Sequence, residues 1–260
     1  MTVYPNCKIN LGLQVIRRRS DGYHDLQTLF LPVKSLCDRL DITPLPSASD
    51  VQVCQLGIAL DNDPQDNLCA RAWRLLHDEF GIPPVQIVLH KQIPYGAGLG
   101  GGSSDAAATL KVLAQMFQLP LSDALLAERA ARLGADCPFF VYNRPAYATG
   151  IGDRLEFLSD EACRLLNRYR VEIAIPEGEH VSTREAYANI HPSGEGRTDL
   201  RQAILHPVES WKELITNDFE ASVFPAHPLI PALKEHFYSR GALYASMSGS
   251  GAAVYGLFEA

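Results

Sequence analysis

The sequence predicts a mixed α/β chain in two parts, and three observations lead there. The N-terminus opens on an alternating strand pattern, a glycine run lies between an apolar segment and an alanine-rich one, and near residue 148 long helical segments give way to short strands and polar loops. With 260 residues, 47% hydrophobic and 20% charged, the chain can build one large core or two modest ones, which sets it apart from disordered polymers.

The first element follows from residues 8–15, where Ile9, Leu11, Leu13 and Val15 alternate with Lys8, Asn10, Gly12 and Gln14. This period of two predicts a half-buried strand with Lys8 and Asn10 on one face. The Asp21-Gly22 pair suits a tight turn, so residues 1–30 read as a hairpin. Pro44, Pro46 and the small polar residues up to Asp50 predict a surface loop, residues 51–58 a strand, and residues 61–66 an acidic loop. Leu68, Ala72, Leu75 and Leu76 share one helical face over residues 67–80, and Gly81 stands where that helix stops. Residues 85–89 are apolar and β-branched and lead into the glycines. Beyond them, Ser103 or Ser104 is placed to cap a helix marked by Ala106, Leu110, Leu113 and Phe117 and closed by Pro120. A second helix fits residues 122–133, with Gly134 as its stop. After Pro145 follow a strand at 170–175, a polar loop at 193–196 and a segment rich in small residues at 241–258.

A net charge of −7 argues against a nucleic-acid partner held by overall positive potential and points to a small molecule. No apolar run reaches the roughly 18 residues of a spanning helix, and the N-terminus lacks a signal-peptide layout, so a cytoplasmic location without membrane attachment is expected. The six cysteines form no C-x-x-C pair and read as mostly buried thiols rather than disulfides or zinc ligands. The eight histidines show no ligand spacing, and His191, His206 and His227 each precede proline, which places them in loops or turns.

Five glycines fall within residues 96–102, and three readings compete for them. A flexible surface turn accounts poorly for a strand before and a helix directly after. A dinucleotide fingerprint is met by Gly96, Gly98 and Gly101, but the acidic residue at a second strand end, about 20 positions on, is missing. A phosphate cradle fits best: bare backbone lets N–H groups close on an anion, and the following helix adds its unpaired N–H groups and the positive end of its dipole. No lysine follows the last glycine as in a Walker loop, so charge neutralisation falls to Mg²⁺ or to distant cations, with Lys8 and Lys91 as candidates.

The segment Pro94-x-x-Ala97-Gly-Leu-Gly-Gly-Gly-Ser-Ser-Asp-Ala-Ala107 resembles the signature of the GHMP kinases, the small-metabolite kinases named for galactokinase, homoserine kinase, mevalonate kinase and phosphomevalonate kinase. Lys8-Ile-Asn-Leu11 and Ser246-Met-Ser-Gly-Ser-Gly-Ala-Ala253 resemble the family's first and third motifs. The stretches Arg18-Arg-Ser-Asp-Gly-Tyr-His24, Leu26-Gln-Thr-Leu-Phe30 and Gly134-Ala-Asp-Cys-Pro-Phe-Phe140 are similar to the branch acting on a cytidine-diphosphate-linked methylerythritol in the non-mevalonate isoprenoid (terpenoid) route. The resemblance implies a two-domain α/β (α+β) GHMP-kinase-like fold. Residues 1–148 would form the nucleotide-binding domain and residues 149–260 a ferredoxin-like substrate domain.

It also implies the chemistry: ATP, with Mg²⁺, phosphorylates the 2-hydroxyl of the cytidine-linked alcohol. Asp136 would take the hydroxyl proton, beside Lys8 as the catalytic cation, although its place before Pro138 equally suits an N-cap. ATP would lie against Pro94, Tyr95, Gly96, Ala97, Gly98, Leu99, Gly100, Gly101, Gly102, Ser103 and Ser104, with Asn67, Leu68 and Lys91 nearby; Asn67 also reads as a helix cap. Tyr23 and His24 would hold the cytosine, Asn10 would contact the substrate, and Tyr187 is either an opposing aromatic plate or a core tyrosine. Asp105 stands where the family usually has asparagine and would set a carboxylate beside the triphosphate, favouring the helix dipole, binding Mg²⁺ or weakening ATP. No metal ligands are assigned, and both monomer and homodimer remain open. Two other functions remain: a sister kinase for a smaller alcohol such as mevalonate or homoserine, and a non-catalytic nucleotide-binding regulator.

Overall fold

The computed structural model describes residues 1–58, 66–192, 194 and 197–260. Residues 61–65 of the expected acidic loop, and residues 193, 195 and 196 of the expected polar loop, lie outside them. The strands are β1 (Thr2–Val3), β2 (Asn6–Arg18), β3 (His24–Cys37), β4 (Arg39–Pro44), β5 (Gln52–Gly57), β6 (Val85–Lys91), β7 (Ala146–Thr149), β8 (Arg154–Phe157), β9 (Tyr169–Ala174), β10 (Tyr244–Met247) and β11 (Val254–Glu259). The helices used below are α1 (Leu68–Phe80), α2 (Gly101–Met116), α3 (Asp123–Ala131), α4 (Cys137–Tyr142), α5 (Asp160–Leu166) and α6 (Thr183–Ala188).

The chain forms two compact units. One comprises Met1–Cys7, Lys34–Tyr95 and Gly100–Arg144; the other comprises Lys8–Val33, Gly96–Leu99 and Pro145–Ala260. The last passage between them, at residues 144–145, falls just before residue 148, but two earlier segments also group with the C-terminal part.

In the first unit the sheet order is β1-β4-β6-β5. β4 and β6 are antiparallel and set Leu40 opposite Leu89 and Ile42 opposite Ile87, all fully buried. β5 runs parallel to β6, so the chain must cross over between them, and it does so through α1. Asn67 caps α1, its side chain accepting from Cys69 N–H at 2.9 Å, and Gly81 ends it at φ +66. Trp73 and Leu76 form its buried face. α2 buries Ala106, Leu110 and Leu113 as the spacing predicts, but its start differs. Gly100, at φ +69, is the N-cap, and Ser103 and Ser104 lie inside the first turns. Glycine is the residue that enters this left-handed cap without strain, so the helix begins before either serine. Ser122 does cap α3, its hydroxyl accepting from Leu125 N–H at 3.3 Å.

In the second unit β2 and β3 are neighbours in the order β2-β3-β7-β8, joined by the predicted turn, where Gly22 takes φ +89. β2 is not half-buried: every residue from Asn6 to Val15 is buried. Leu13 and Val15 join a core with Val181, Phe219, Ile230, Phe237, Met247 and Val254. The opposite face is buried because its polar groups find partners inside, as Gln14 does in donating to the Thr198 carbonyl at 3.1 Å. A second sheet, β10-β11-β9, is antiparallel throughout. Of the cysteines only Cys7, Cys69 and Cys137 are buried, whereas Cys37 and Cys163 are half-buried and Cys54 is exposed; all six are free thiols. His191, His206 and His227 lie outside helices and strands.

Candidate active site

The three glycine-marked or lysine-marked motifs meet inside the second unit, and one hydroxyl ties them together. Asn10 N–H donates to Ser248 Oγ at 3.2 Å, and Ser248 Oγ donates to the Gly98 carbonyl at 2.9 Å. Backbone bonds flank this link: Lys8 N–H donates to the Leu99 carbonyl at 2.9 Å and Ala253 N–H to the Ala97 carbonyl at 3.2 Å. Tyr255, fully buried, adds a hydrogen bond from its hydroxyl to the Asn10 carbonyl at 2.9 Å. The approach is so close that a Cβ on Gly98 would sit 1.9 Å from the Ser248 carbonyl oxygen, and its φ is +76. Only glycine fits there.

Lys8 is buried, and its ammonium donates to Asn10 Oδ1 at 2.5 Å and lies 4.9 Å from the Phe30 ring centre. The Asn10 amide nitrogen in turn donates to Thr28 Oγ1 at 3.0 Å, and the Thr28 hydroxyl donates to the Gly12 carbonyl at 2.6 Å. Both ends of the Asn10 side chain are thus engaged in orienting Lys8. The glycine run itself has positive φ at Gly96, Gly98 and Gly100 (64, 76 and 69°), with Ala97 and Leu99 between. Such alternation of backbone sign turns N–H groups towards a common concavity suited to an anion.

The other expected nucleotide residues lie in the first unit. A Cβ on Gly102 would meet Leu68 at 3.5 Å and Tyr95 at 3.7 Å, so these two side chains flank the start of α2. Gln55 accepts from Tyr95 Oη at 3.4 Å and from Asn67 Nδ2 at 3.5 Å, drawing Asn67 into the same group. Pro94 is half-buried just before Tyr95. Asp136 occupies the N-cap position of α4, but its side chain makes no capping bond. The turn that carries it packs beside α2: a Cβ on Gly134 would lie 3.9 Å from Ser103 Oγ. Burial pushes the neighbouring Cys137 thiol up to about 11, so it stays protonated.

Lys91 is not available to a phosphate. Its side chain is fully buried, and its ammonium is paired with Asp38 and, at 2.8 Å, with Asp105. Asp105 therefore points inward, not towards a triphosphate, which also removes it as a magnesium ligand. Among the described residues no cluster of three or more His, Cys, Asp or Glu could hold a metal ion.

Of the residues expected to bind the substrate, Tyr23 is 61% exposed at the hairpin turn. His24 stacks on Tyr187 with ring centres 4.6 Å apart, and Tyr187 meets Phe219 edge-on. Tyr187 is thus both a flank of the core and a stacking partner of His24. Burial, with the nearby charge of Arg18, holds His24 below its ordinary pKa and favours the neutral ring. Sequence reasoning missed Thr28, Asp38, Gln55 and Tyr255 as site-building residues, and passed over Ser248 within its motif; hydrogen-bonding types inside otherwise apolar strands were the available signal for Thr28 and Tyr255.

A glycine loop feeding a helix, joined to an N-terminal lysine strand and a C-terminal glycine motif, is the architecture of a small-molecule kinase. The chain belongs to the GHMP kinases: it matches the family's N-terminal domain over residues 67–144 and its C-terminal domain over residues 200–260. It is 49% identical over 260 residues to the 4-diphosphocytidyl-2-C-methyl-D-erythritol kinase of Bacteroides thetaiotaomicron, covering 100% of this chain and 92% of that one. It is 44% identical to the protein of the same name from Porphyromonas gingivalis, again covering 100% and 92%. A crystal structure of 4-(cytidine 5'-diphospho)-2C-methyl-D-erythritol kinase superposes with TM-score 0.80 at 34% identity, covering 99% of this chain and 90% of the other. A crystal structure of mevalonate kinase, at 14% identity and TM-score 0.73, shares the fold.

Proposed function

We propose that this kinase transfers the γ-phosphate of ATP to the 2-hydroxyl of 4-diphosphocytidyl-2-C-methyl-D-erythritol, giving the 2-phosphate and ADP, in the non-mevalonate route to isoprenoid precursors. The observation that carries this reading is the Ser248 link, which fastens the lysine strand, the glycine run and the C-terminal glycine motif within one unit. The relatives' shared name supplies the substrate.

In this reading the backbone N–H groups of residues 96–102, with Ser103 and Ser104, hold the ATP phosphates, and magnesium arrives on them as part of the substrate. Asn67, Leu68, Pro94 and Tyr95 border the adenosine. Asp136 accepts the proton of the 2-hydroxyl as its oxygen bonds to the γ-phosphorus and the bond to ADP breaks. Lys8, oriented by Asn10, neutralises charge on the transferring group. Tyr23 supplies an aromatic face for the cytosine, whose stacking contributes roughly 1–3 kcal/mol in comparable sites, and His24, backed by the ring of Tyr187, hydrogen-bonds the base. The enzyme works in the cytoplasm, as a monomer or homodimer. Among the described residues no helix is long and apolar enough to cross a membrane.

ADP release measured against a panel of cytidine-linked alcohol, mevalonate and homoserine tests the assignment. Turnover only with the cytidine-linked alcohol is expected, and turnover only with a free alcohol would overturn it.

A further inference from the structure

The cluster that disqualifies Lys91 as a phosphate ligand has a geometry of its own. Asp38 is the single residue between β3 and β4, and both its oxygens are in use. Its Oδ1 accepts the N–H groups of Gln92 (2.5 Å) and Ile93 (2.8 Å), the first two residues beyond β6, and its Oδ2 accepts from Lys91. Lys91 also donates to Asp105 Oδ2, one turn into α2. A Cβ on Gly101 would lie 2.9 Å from the Lys91 ammonium and 2.7 Å from the Ile93 side chain, so the first residue of α2 rests on the cluster itself. The ammonium lies 4.8 Å from the Tyr95 ring centre. The strand entering the glycine run and the helix leaving it are thus fastened to the same three side chains.

We propose that Asp38, Lys91 and Asp105 are positioning residues that set the separation of the two ends of the glycine loop and so its fit to the ATP phosphates. The inference rests on reading that loop as the ATP site. None of the three touches substrate in this scheme; they act through the backbone of residues 92–93 and 101.

Two carboxylates facing one ammonium leave the cluster one negative charge in excess, and Asp105 Oδ1, buried, has no hydrogen-bond partner. Burial pushes the Asp105 carboxyl up to about 7; Lys91 lowers it and Asp38 raises it again. Two other titratable groups face it, Cys69 from α1 and Tyr95 from the loop entrance, and burial raises both so that they stay neutral. With a proton on Asp105 the cluster is neutral and closed. Above that pH the excess charge sets Asp105 against Asp38 and loosens the first turns of α2.

The test compares wild type, Asp105→Asn and Asp105→Ala by direct titration with a fluorescent ATP analogue and by KM for each substrate as a function of pH. Asn keeps an oxygen for Lys91 and cannot ionise; Ala abandons the bond. The expectation is that Asp105→Ala weakens ATP binding by roughly tenfold to a hundredfold, with the KM for the cytidine-linked alcohol unchanged. Asp105→Asn restores ATP binding and abolishes the wild type's loss of ATP affinity above about pH 7. A folded Asp105→Ala protein that binds the ATP analogue like wild type would overturn the proposal. So would an Asn variant with the wild-type pH profile. If Ala does not fold, the Asn pH profile decides alone. Failure of wild type to bind the analogue would instead refute the ATP-site reading.

Discussion

Thr28 shows how much one buried hydroxyl governs. It is fully buried, donates to the Gly12 carbonyl and accepts the Asn10 amide, which in turn holds Lys8. Replacing it by valine keeps the shape but strands two buried polar groups, at a cost of about 1–3 kcal/mol. We expect urea unfolding of Thr28→Val to show that loss, and kcat to fall by roughly tenfold as Asn10 and Lys8 lose their orientation. Asp136→Asn should lower kcat by about 10²–10⁴-fold with little change in either KM, since it removes a proton acceptor and keeps the shape; wild-type kcat in a folded Asn variant would discard it as the base. At this scale the sequence was readable where a residue's role is local, as at Asn67, which caps α1. It was unreadable where function depends on a partner far along the chain. Nothing local to Asp38 announces that it will receive Lys91 from 53 positions away, and a lysine just upstream of a glycine run looked like a phosphate ligand until its burial was known.

Among elements, the glycine loop and α2 separate two kinds of glycine. Gly98 combines φ +76 with a 1.9 Å clash for any Cβ, against backbone that cannot yield. Gly102 lies inside α2, where a Cβ would make only ordinary contacts with Leu68 and Tyr95. Gly98→Ala should therefore destroy activity and lower the melting temperature. Gly102→Ala should leave thermal stability equal or raised by about 0.5–1 kcal/mol, because alanine is the better helix former. Thermal melts of the two purified variants check the contrast. The periodic signals for α1, α2 and α3 were legible because each helix keeps one apolar stripe. The start of α2 was misread because serine is the commoner cap, whereas here a left-handed glycine precedes it. β2 was read as half-buried because alternation of polar and apolar residues ordinarily means one wet face; in this strand the polar face is dry and satisfied by hydrogen bonds.

At the scale of the whole molecule, two groups make stability fall as pH rises, while His24, held below its ordinary pKa, works the other way up to about its free value near 6.5. His227 bridges two acids, Glu179 Oε2 at 2.5 Å and Glu185 Oε1 at 3.0 Å, and these partners raise its pKa. Its contribution is complete below its unfolded value, near 6.5, and is lost as pH rises through the higher folded value. Asp105, raised from 3.8 to about 7, works in the same sense: its native protonated form is favoured, and stability falls as pH climbs between those values. Melting temperature is expected to drop from pH 7 to pH 8.5, and His227→Gln should flatten that slope; a slope of the opposite sign in this window would contradict the His227 assignment. The two-part α/β character was legible from the mixture of helical and strand periodicities. The interleaving was not, because residues 8–33 carry no mark in their composition that assigns them to the C-terminal unit.

That interleaving bears on how such a gene can change. The polypeptide passes from one unit to the other after Cys7, Val33, Tyr95, Leu99 and Arg144. A single genetic crossover between two diverged parents, wherever it falls, leaves at least one unit a chimera whose strands and core side chains never adapted to one another. Exchange of half-gene cassettes is thereby a poor route to new substrates on this scaffold, and point substitutions or altered loop lengths are the open ones.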